Sequence, residues 1–395
     1  MAGEVIYGNG TTTASSGANT IVHYYDRAGI KAANAKNVYG QFCDRKSMPL
    51  NMGKTFKISK WQHIYDLDQN DVNFAAKGYL GKRDLAAVTT NLANSGSSGA
   101  ITEGAGAINK VTPKKVTFET SIARYGFMIE YTDEVTMFSE DMVHVRYREE
   151  LGYLINQAEE DLIQKDMINS AGIVINAGGH ITLAQMGATI VADGTNEELY
   201  KVSFDLIRKG VRALVRNRAQ RNTEIVTGDV KIGTKPINSA FYAIVGPEVK
   251  YDLETLTRGS TYEKEFVYIP AYQYAAASNL AEGEIGSMHD VRFIESEGAM
   301  AKIGAGAAIP AHYTGTLSND GTHFDVFPIL FPTKGAFATV GLKGQGKVTF
   351  NAKAPSDVNL TNPYGTKGFF SANMFYASIA LRPEALLKIN VLASA

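Results

Sequence analysis

The stretch VTPKKVTFETSIARYGFMIEYTDE, residues 111–134, alternates apolar and polar side chains. Val116, Phe118, Thr120 and Ile122 fall on one face, and Thr117, Glu119 and Ser121 on the other. A period of two predicts a long strand. Just before it, NSGSSGAITEGAGAINK at 94–110 holds too much glycine and serine for a regular element. A moderately apolar run at 79–92 precedes that tract. Two extended segments joined by a glycine-rich tip predict a long hairpin. Two strands alone are marginal in water. Such a hairpin needs a covering surface, in its own chain or in another.

Ser139 opens the clearest helix pattern, over 139–170. Ser139 suits the N-cap, and Glu140 and Asp141 suit the positive end of the helix dipole. Val143, Tyr147, Leu151, Leu154, Ala158 and Leu162 recur at steps of three or four and predict the apolar stripe. Arg146, Glu150, Gln157, Asp161, Gln164 and Lys165 predict the polar face. At 1.5 Å per residue the rod would be roughly 45 Å long.

A second helix follows Ser203, with Phe204, Ile207, Val211 and Leu214 as its stripe. From Lys201 to Arg221 the chain carries seven basic residues and one acidic one. Residues 222–243 read as strands and turns, and Gly246, Pro247 and Glu248 open a short helix to Leu256. Strands are expected at 291–295, 324–331, 336–342, 346–351 and 376–381. Residues 1–20 are small and polar and predict a loose arm; 21–78 predict an extended or partly helical arm. The order is arm, hairpin, long helix, mixed segment, then strands. That is an α+β class rather than the βαβ alternation of dinucleotide folds.

The 395 residues allow two or three units at about 150 residues each. With 39 basic and 40 acidic residues the net charge is −1, which gives no basic excess of the kind nucleic-acid readers show. Near-neutrality permits self-association. One cysteine, Cys43, excludes an internal disulfide. The opening MAGEVIYGNG lacks the basic and apolar regions of a signal peptide, and no apolar run is long enough to span a membrane. The expectation is a soluble protein that folds in cytoplasm.

Candidate sites are thin. GLKGQGKVT at 341–349 fits Gly-x4-Gly-Lys, but Val348 follows Lys347 where a phosphate loop needs Ser or Thr, and strand follows where it needs a helix. DLDQND at 66–71 begins like a calcium loop, but Asp71 and Lys77 stand where Gly and Glu belong; DVNLTN at 357–362 fails similarly. No cysteine pair or His-Glu-x-x-His suggests zinc. No cofactor, metal or catalytic residue is expected. In GEIGSMHDVRFIES, 283–296, His289 and Asp290 are adjacent. On a strand they point to opposite faces, so Asp290 could not orient His289. Gly283 and Gly286 suit a turn before a strand that begins near Val291.

The same stretch carries a resemblance. Gly-Glu-Ile-Gly, a spacer, then Asp-Val-Arg-Phe-Ile-Glu-Ser resembles a signature of tailed-bacteriophage major capsid proteins of the coliphage N-four type. Three further pieces follow the same order: TPKKVTFETSIARYGFMIEYTDEV (112–135), VFPILFPTKGAFATVGLKG (326–344) and NPYGTKGFFSANMFYASIALRPEALLKINV (362–391). The likeness spans 112–391 and is weak over the first 70 residues and over 298–323.

The resemblance implies the Hong Kong ninety-seven-type coat fold. It implies an N-terminal arm at 1–75, an extended hairpin loop at 76–135, and a peripheral domain with a long spine helix at 136–202. An axial domain at 203–282 and late strands at 283–395, returning to the peripheral domain with axial insertions, complete it. The implied function is a non-enzymatic shell of pentamers and hexamers around double-stranded DNA, assembled in a bacterial cytoplasm. Implied partners are the protein itself, a portal, scaffolding or decoration proteins, and DNA held without sequence specificity. Gly104, Gly106, Lys110, Val116, Phe118 and Ile122 are the expected inter-subunit contacts. Two alternatives stay open: an encapsulin-like compartment shell of the same fold, and an enzyme acting on a phosphorylated substrate.

Overall fold

The computed structural model describes residues 37–61, 115–138, 143–226, 234–258, 263–264, 267–268, 281, 283–342, 348–356, 358 and 362–395. A short 3-10 turn at Tyr39–Phe42 leads into β1 (Asp44–Met48) and β2 (Thr55–Trp61). Then come β3 (Lys115–Ser121), β4 (Ala123–Thr132), a short helix α1 (Asp133–Phe138) and the long helix α2 (Val143–Ser170). β5 (Ile173–Asn176) and a run of 3-10 turns reach α3 (Phe204–Arg216). β6 (Asn222–Val226), β7 (Thr234–Val245) and α4 (Pro247–Thr255) follow. The two-residue strands β8 (Thr257–Arg258), β9 (Glu263–Lys264) and β10 (Val267–Tyr268) precede the hairpin of β11 (Glu284–Met288) and β12 (Val291–Glu295). The chain ends with β13 (Phe327–Phe331), β14 (Phe337–Leu342), β15 (Val348–Lys353), β16 (Lys367–Tyr376), β17 (Ser378–Ala380) and β18 (Leu387–Val391).

The frame is an eight-stranded mixed sheet in the order β10-β11-β12-β7-β13-β18-β5, with β6 also on β7. β7 runs parallel to β12 and antiparallel to β13, while β18 runs antiparallel to β13 and parallel to β5. Alternate residues of β7 bury against different layers. Phe241, Ala243 and Val245 meet Ile207, Val211 and Leu214 of α3 and Val249 and Leu253 of α4. Tyr242 and Ile244 meet Ile163, Met167 and Ile168 of α2 together with Tyr39 and Phe42. Helix, sheet and helix form three layers. Covered on both faces, β13 is buried at every position, as its FPILF sequence fits.

The amphipathic stripe of α3 falls as expected, and Ser203 caps it by accepting from the Leu206 amide at 3.3 Å. Gly210 lets the helix approach the sheet closely. A Cβ there would meet Leu387 Cδ2 at 2.8 Å and Ile389 Cδ1 at 3.0 Å.

The long helix is present, but Ser139, Glu140 and Asp141 lie outside the described residues. Its buried side differs from the expected stripe. Leu151 is buried as expected, and Tyr147, Ala158 and Leu162 are half-buried. Ile155, Ile163, Met167 and Ile168 are the deeper ones, and Gln164, expected outside, is 1% exposed. The reason is that α2 serves two sheets. Its first half packs on the flanking sheet β15-β16-β4 through Tyr131, Phe370 and Met374. Its second half packs on the large sheet.

A third sheet, β1-β14-β17, joins the start of the chain to its end, with β1 parallel to β14 over five residue pairs, Asp44↔Ala338 to Met48↔Leu342. The strand expected over 111–134 breaks at Ile122 into β3 and β4, which serve different sheets. β16 and β18 were not among the expected strands.

Candidate assembly surfaces

β3 pairs antiparallel with β2, from Thr55↔Ser121 to Trp61↔Lys115. Among the described residues the partner of the alternating strand therefore lies within 1–75, the segment assigned to the arm; 79–92 lie outside the described residues. No described residue of either strand is buried. One face carries Phe56, Ile58 and Phe118, half-buried against Met48, Val340 and Ile379 of the small sheet. Val116 shares that face, and Ile122 joins the same cluster. The other face is exposed and matched pair by pair. Lys57 meets Glu119 at 2.9 Å, Ser59 meets Thr117 at 3.4 Å, and Lys115 sits 5.9 Å from the ring of Trp61. Trp61 is 63% exposed. Of the six expected contact residues, Val116, Phe118 and Ile122 thus lie on the ribbon side that packs on their own chain. Gly104, Gly106 and Lys110 lie outside the described residues, as does the glycine-rich tip.

The ribbon is anchored from the far end of the sequence. Lys60 pairs with the buried carboxylate of Glu384, which also receives Arg382 Nε at 3.4 Å. Asn217, just after α3, donates to the Glu384 carbonyl at 2.8 Å. The Arg-Pro-Glu-Ala run is thus a junction between ribbon, α3 and sheet.

A second anchor holds the exit of the N-terminal segment. The Glu160 carboxylate on α2 accepts from three successive amides, Val38, Tyr39 at 2.5 Å and Gly40 at 3.2 Å. Burial raises the Glu160 carboxyl above its ordinary range, against the downward pull of those amides, with Glu159 adding to the rise. Gln164 is oriented so that its nitrogen donates to the Gly298 carbonyl at 3.1 Å; its oxygen accepts from the Met300 amide at 2.6 Å and the Tyr39 hydroxyl at 2.9 Å. Cys43 is fully buried and its thiol is pushed well up by that burial. Sequence periodicity offered no signal for Glu160 or Gln164, because polar residues on a helix read as solvent-facing.

Apolar surface is open on the flanking sheet and at α1. Tyr125 and Phe127 lie on the α2 side of β4, opposite Met374 and Ala372, and are 40% and 39% exposed; Phe350 of β15, on the same side, is 53% exposed. Met137 and Phe138 of α1 are 71% and 85% exposed.

The stretch 283–296 is a hairpin, and the strand-parity reading of its His-Asp pair is corrected. β11 already includes Gly286, and His289 and Asp290 form the tight turn before β12. His289 has φ +55°, and its ring lies edge-on to Phe204 at 6.2 Å. Asp290 pairs with Arg221, not with His289. Glu284 and Arg292 pair across the hairpin at 2.5 Å, and Lys250 meets Glu295 at 2.7 Å. The glycine-lysine run at 341–349 is flanked by β14 and β15, so no helix follows it to receive a phosphate; 343–347 lie outside the described residues, as do 66–71. Among the described residues no group of His, Cys, Asp and Glu is arranged to hold a metal ion.

No protein-family model matches the chain. The chain is 29% identical over 406 residues to the major capsid protein of Pseudomonas phage KPP21, covering 97% of this chain and 96% of that one. Among solved structures it is similar to the capsid of Ralstonia phage GP4, with a TM-score of 0.56 at 12% identity, covering 98% of this chain and 99% of that one. The capsid of cyanophage Pam1 gives a TM-score of 0.53 at 11% identity, covering 98% and 100%. The fold is that of phage coat proteins. The end-to-end likeness to a major capsid protein supports a capsid-forming, structural role.

Proposed function

We propose that the chain is the major capsid protein of a tailed phage, forming pentamers and hexamers of an icosahedral head around double-stranded DNA. The observation that carries this is the sequence likeness to a major capsid protein over nearly the full length of both chains. The relatives are phage capsid proteins, which favours a phage head over an enzyme-packing compartment or a phosphate-using enzyme.

The parts then take roles. The ribbon β2–β3 is the stem of the extended loop, so that loop begins near Thr55 rather than at 76. It crosses a neighbouring subunit and brings Gly104, Gly106 and Lys110 to it. α2 is the spine helix, and 203–282 contribute to the axial domain. Residues 1–36 form the arm, anchored where Glu160 holds Val38 to Gly40. Many weak interfaces of one kind add to a stable shell by multivalency. Assembly takes place in the host bacterial cytoplasm, with a portal and scaffolding or decoration proteins as further partners.

Trp61→Ser tests the ribbon's role. The side chain is exposed in the subunit, so secondary structure and melting temperature should stay at wild-type values while particle yield falls severalfold. Normal particles from this variant would remove the outer ribbon face from the interface.

A further inference from the structure

The near-zero net charge conceals a segregated one. α3 buries Ile207, Val211 and Leu214 against the large sheet and turns Lys209, Arg212 and Arg216 outward, all exposed. The spacing of three and then four residues sets them in one row on the helix. The row spans about 10 Å at 1.5 Å per residue. Arg208, one residue before it, is held by Asp205 at 3.6 Å and lies over the Phe204 ring at 5.4 Å. Among the described residues, Lys209, Arg212 and Arg216 have no carboxylate partner. They point away from the layer of α2, so one side of the sheet carries this row. A fixed row of cations with no carboxylate partner among the described residues, on one helix, fits a regular polyanion better than a single small anion.

We propose that this face of α3 contacts the phosphate backbone of the enclosed double-stranded nucleic acid, without reading its sequence. The proposal rests on reading the chain as a shell wall around DNA, and it places the α3 side of the sheet toward the interior. Its chemistry is counterion release. Each phosphate neutralised adds about 0.9 to the slope of log affinity against log salt. Three cations therefore steepen the fall between about 50 and about 200 mM salt by about fortyfold.

The test uses the full-length chain, a labelled duplex of mixed sequence, and Lys209→Gln/Arg212→Gln/Arg216→Gln, with Lys165→Gln/Arg148→Gln on the opposite layer as the control. Circular dichroism and melting establish that each variant folds, and single substitutions replace the triple if it does not. Binding is read by anisotropy across salt, and assembly by electron microscopy. Expected are a shallower salt slope for the α3 variant, wild-type binding for the control, and particles from both. Three results overturn the proposal: no duplex binding by wild-type subunits before assembly, an α3 variant with the wild-type slope, or an α3 variant that binds normally but no longer assembles. The last would make α3 a contact between copies. A wild type that binds duplex but never assembles would instead sink the shell reading.

Discussion

Three residues show where this chain departs from what their types suggest. Glu160 sits on a helix yet is buried, and it satisfies three backbone donors at once. Glu160→Ala would orphan those amides and should cost about 2–4 kcal/mol by denaturant unfolding, with Glu160→Gln costing less because one acceptor stays. An unchanged midpoint for the alanine variant would contradict the clasp. Because burial raises this carboxyl, its contribution to stability is present at acid pH and is lost as pH rises through the raised value. Lys388 is the opposite case. It is 9% exposed in β18 and donates to the Ile168 carbonyl near the end of α2 at 2.9 Å. Burial, with the Lys302 charge second, lowers it to about 8. An unfolded chain holds that proton to about 10.4, so stability should rise with pH between the two values. Lys388→Met should flatten that rise, and a slope unchanged from wild type would assign it elsewhere. At His289 the left-handed backbone matters, not the imidazole. His289→Asn should stay within about 0.5 kcal/mol of wild type, while the β-branched His289→Val should lose more than about 1 kcal/mol.

At the scale of elements, what was legible followed local pattern. The stripe and start of α3, the Pro247 start of α4 and the alternation of β3 are all set within a few residues, and each is present. What was not legible depended on partners far away in sequence. β3 pairs with β2 across 53 intervening positions, Trp61 to Lys115, which no periodicity announces. β18 reads LKINV, half polar, and looks like a one-sided strand. It is buried throughout because Lys388 reaches the Ile168 carbonyl and Asn390 donates to Asn176 at 2.7 Å. The face of α2 shifted because one helix covers two sheets. Of the expected contacts, the pattern placed Val116 and Phe118 on a common face but could not say that their own small sheet covers it. The ribbon gives an element-scale prediction. Its amides should exchange quickly in free subunits and at least tenfold more slowly in particles, because no residue of either strand is buried in the subunit. Equal exchange in both states would mean that no neighbour covers it.

For the whole molecule, the design is a rigid three-layer frame that carries exposed extensions. The frame's ends are tied to each other: β1 pairs with β14, Lys60 pairs with Glu384, and the segment at Val38 is held on α2. A frame fastened in this way can hold its shape while its ribbon and apolar patches engage copies of itself. The central claim is that these surfaces make a shell. Electron microscopy of the full-length chain, expressed alone and with phage assembly factors, tests it most directly. Closed shells, tubes or five- and six-fold capsomers are the expected result. A protein that stays strictly monomeric under every condition would contradict it.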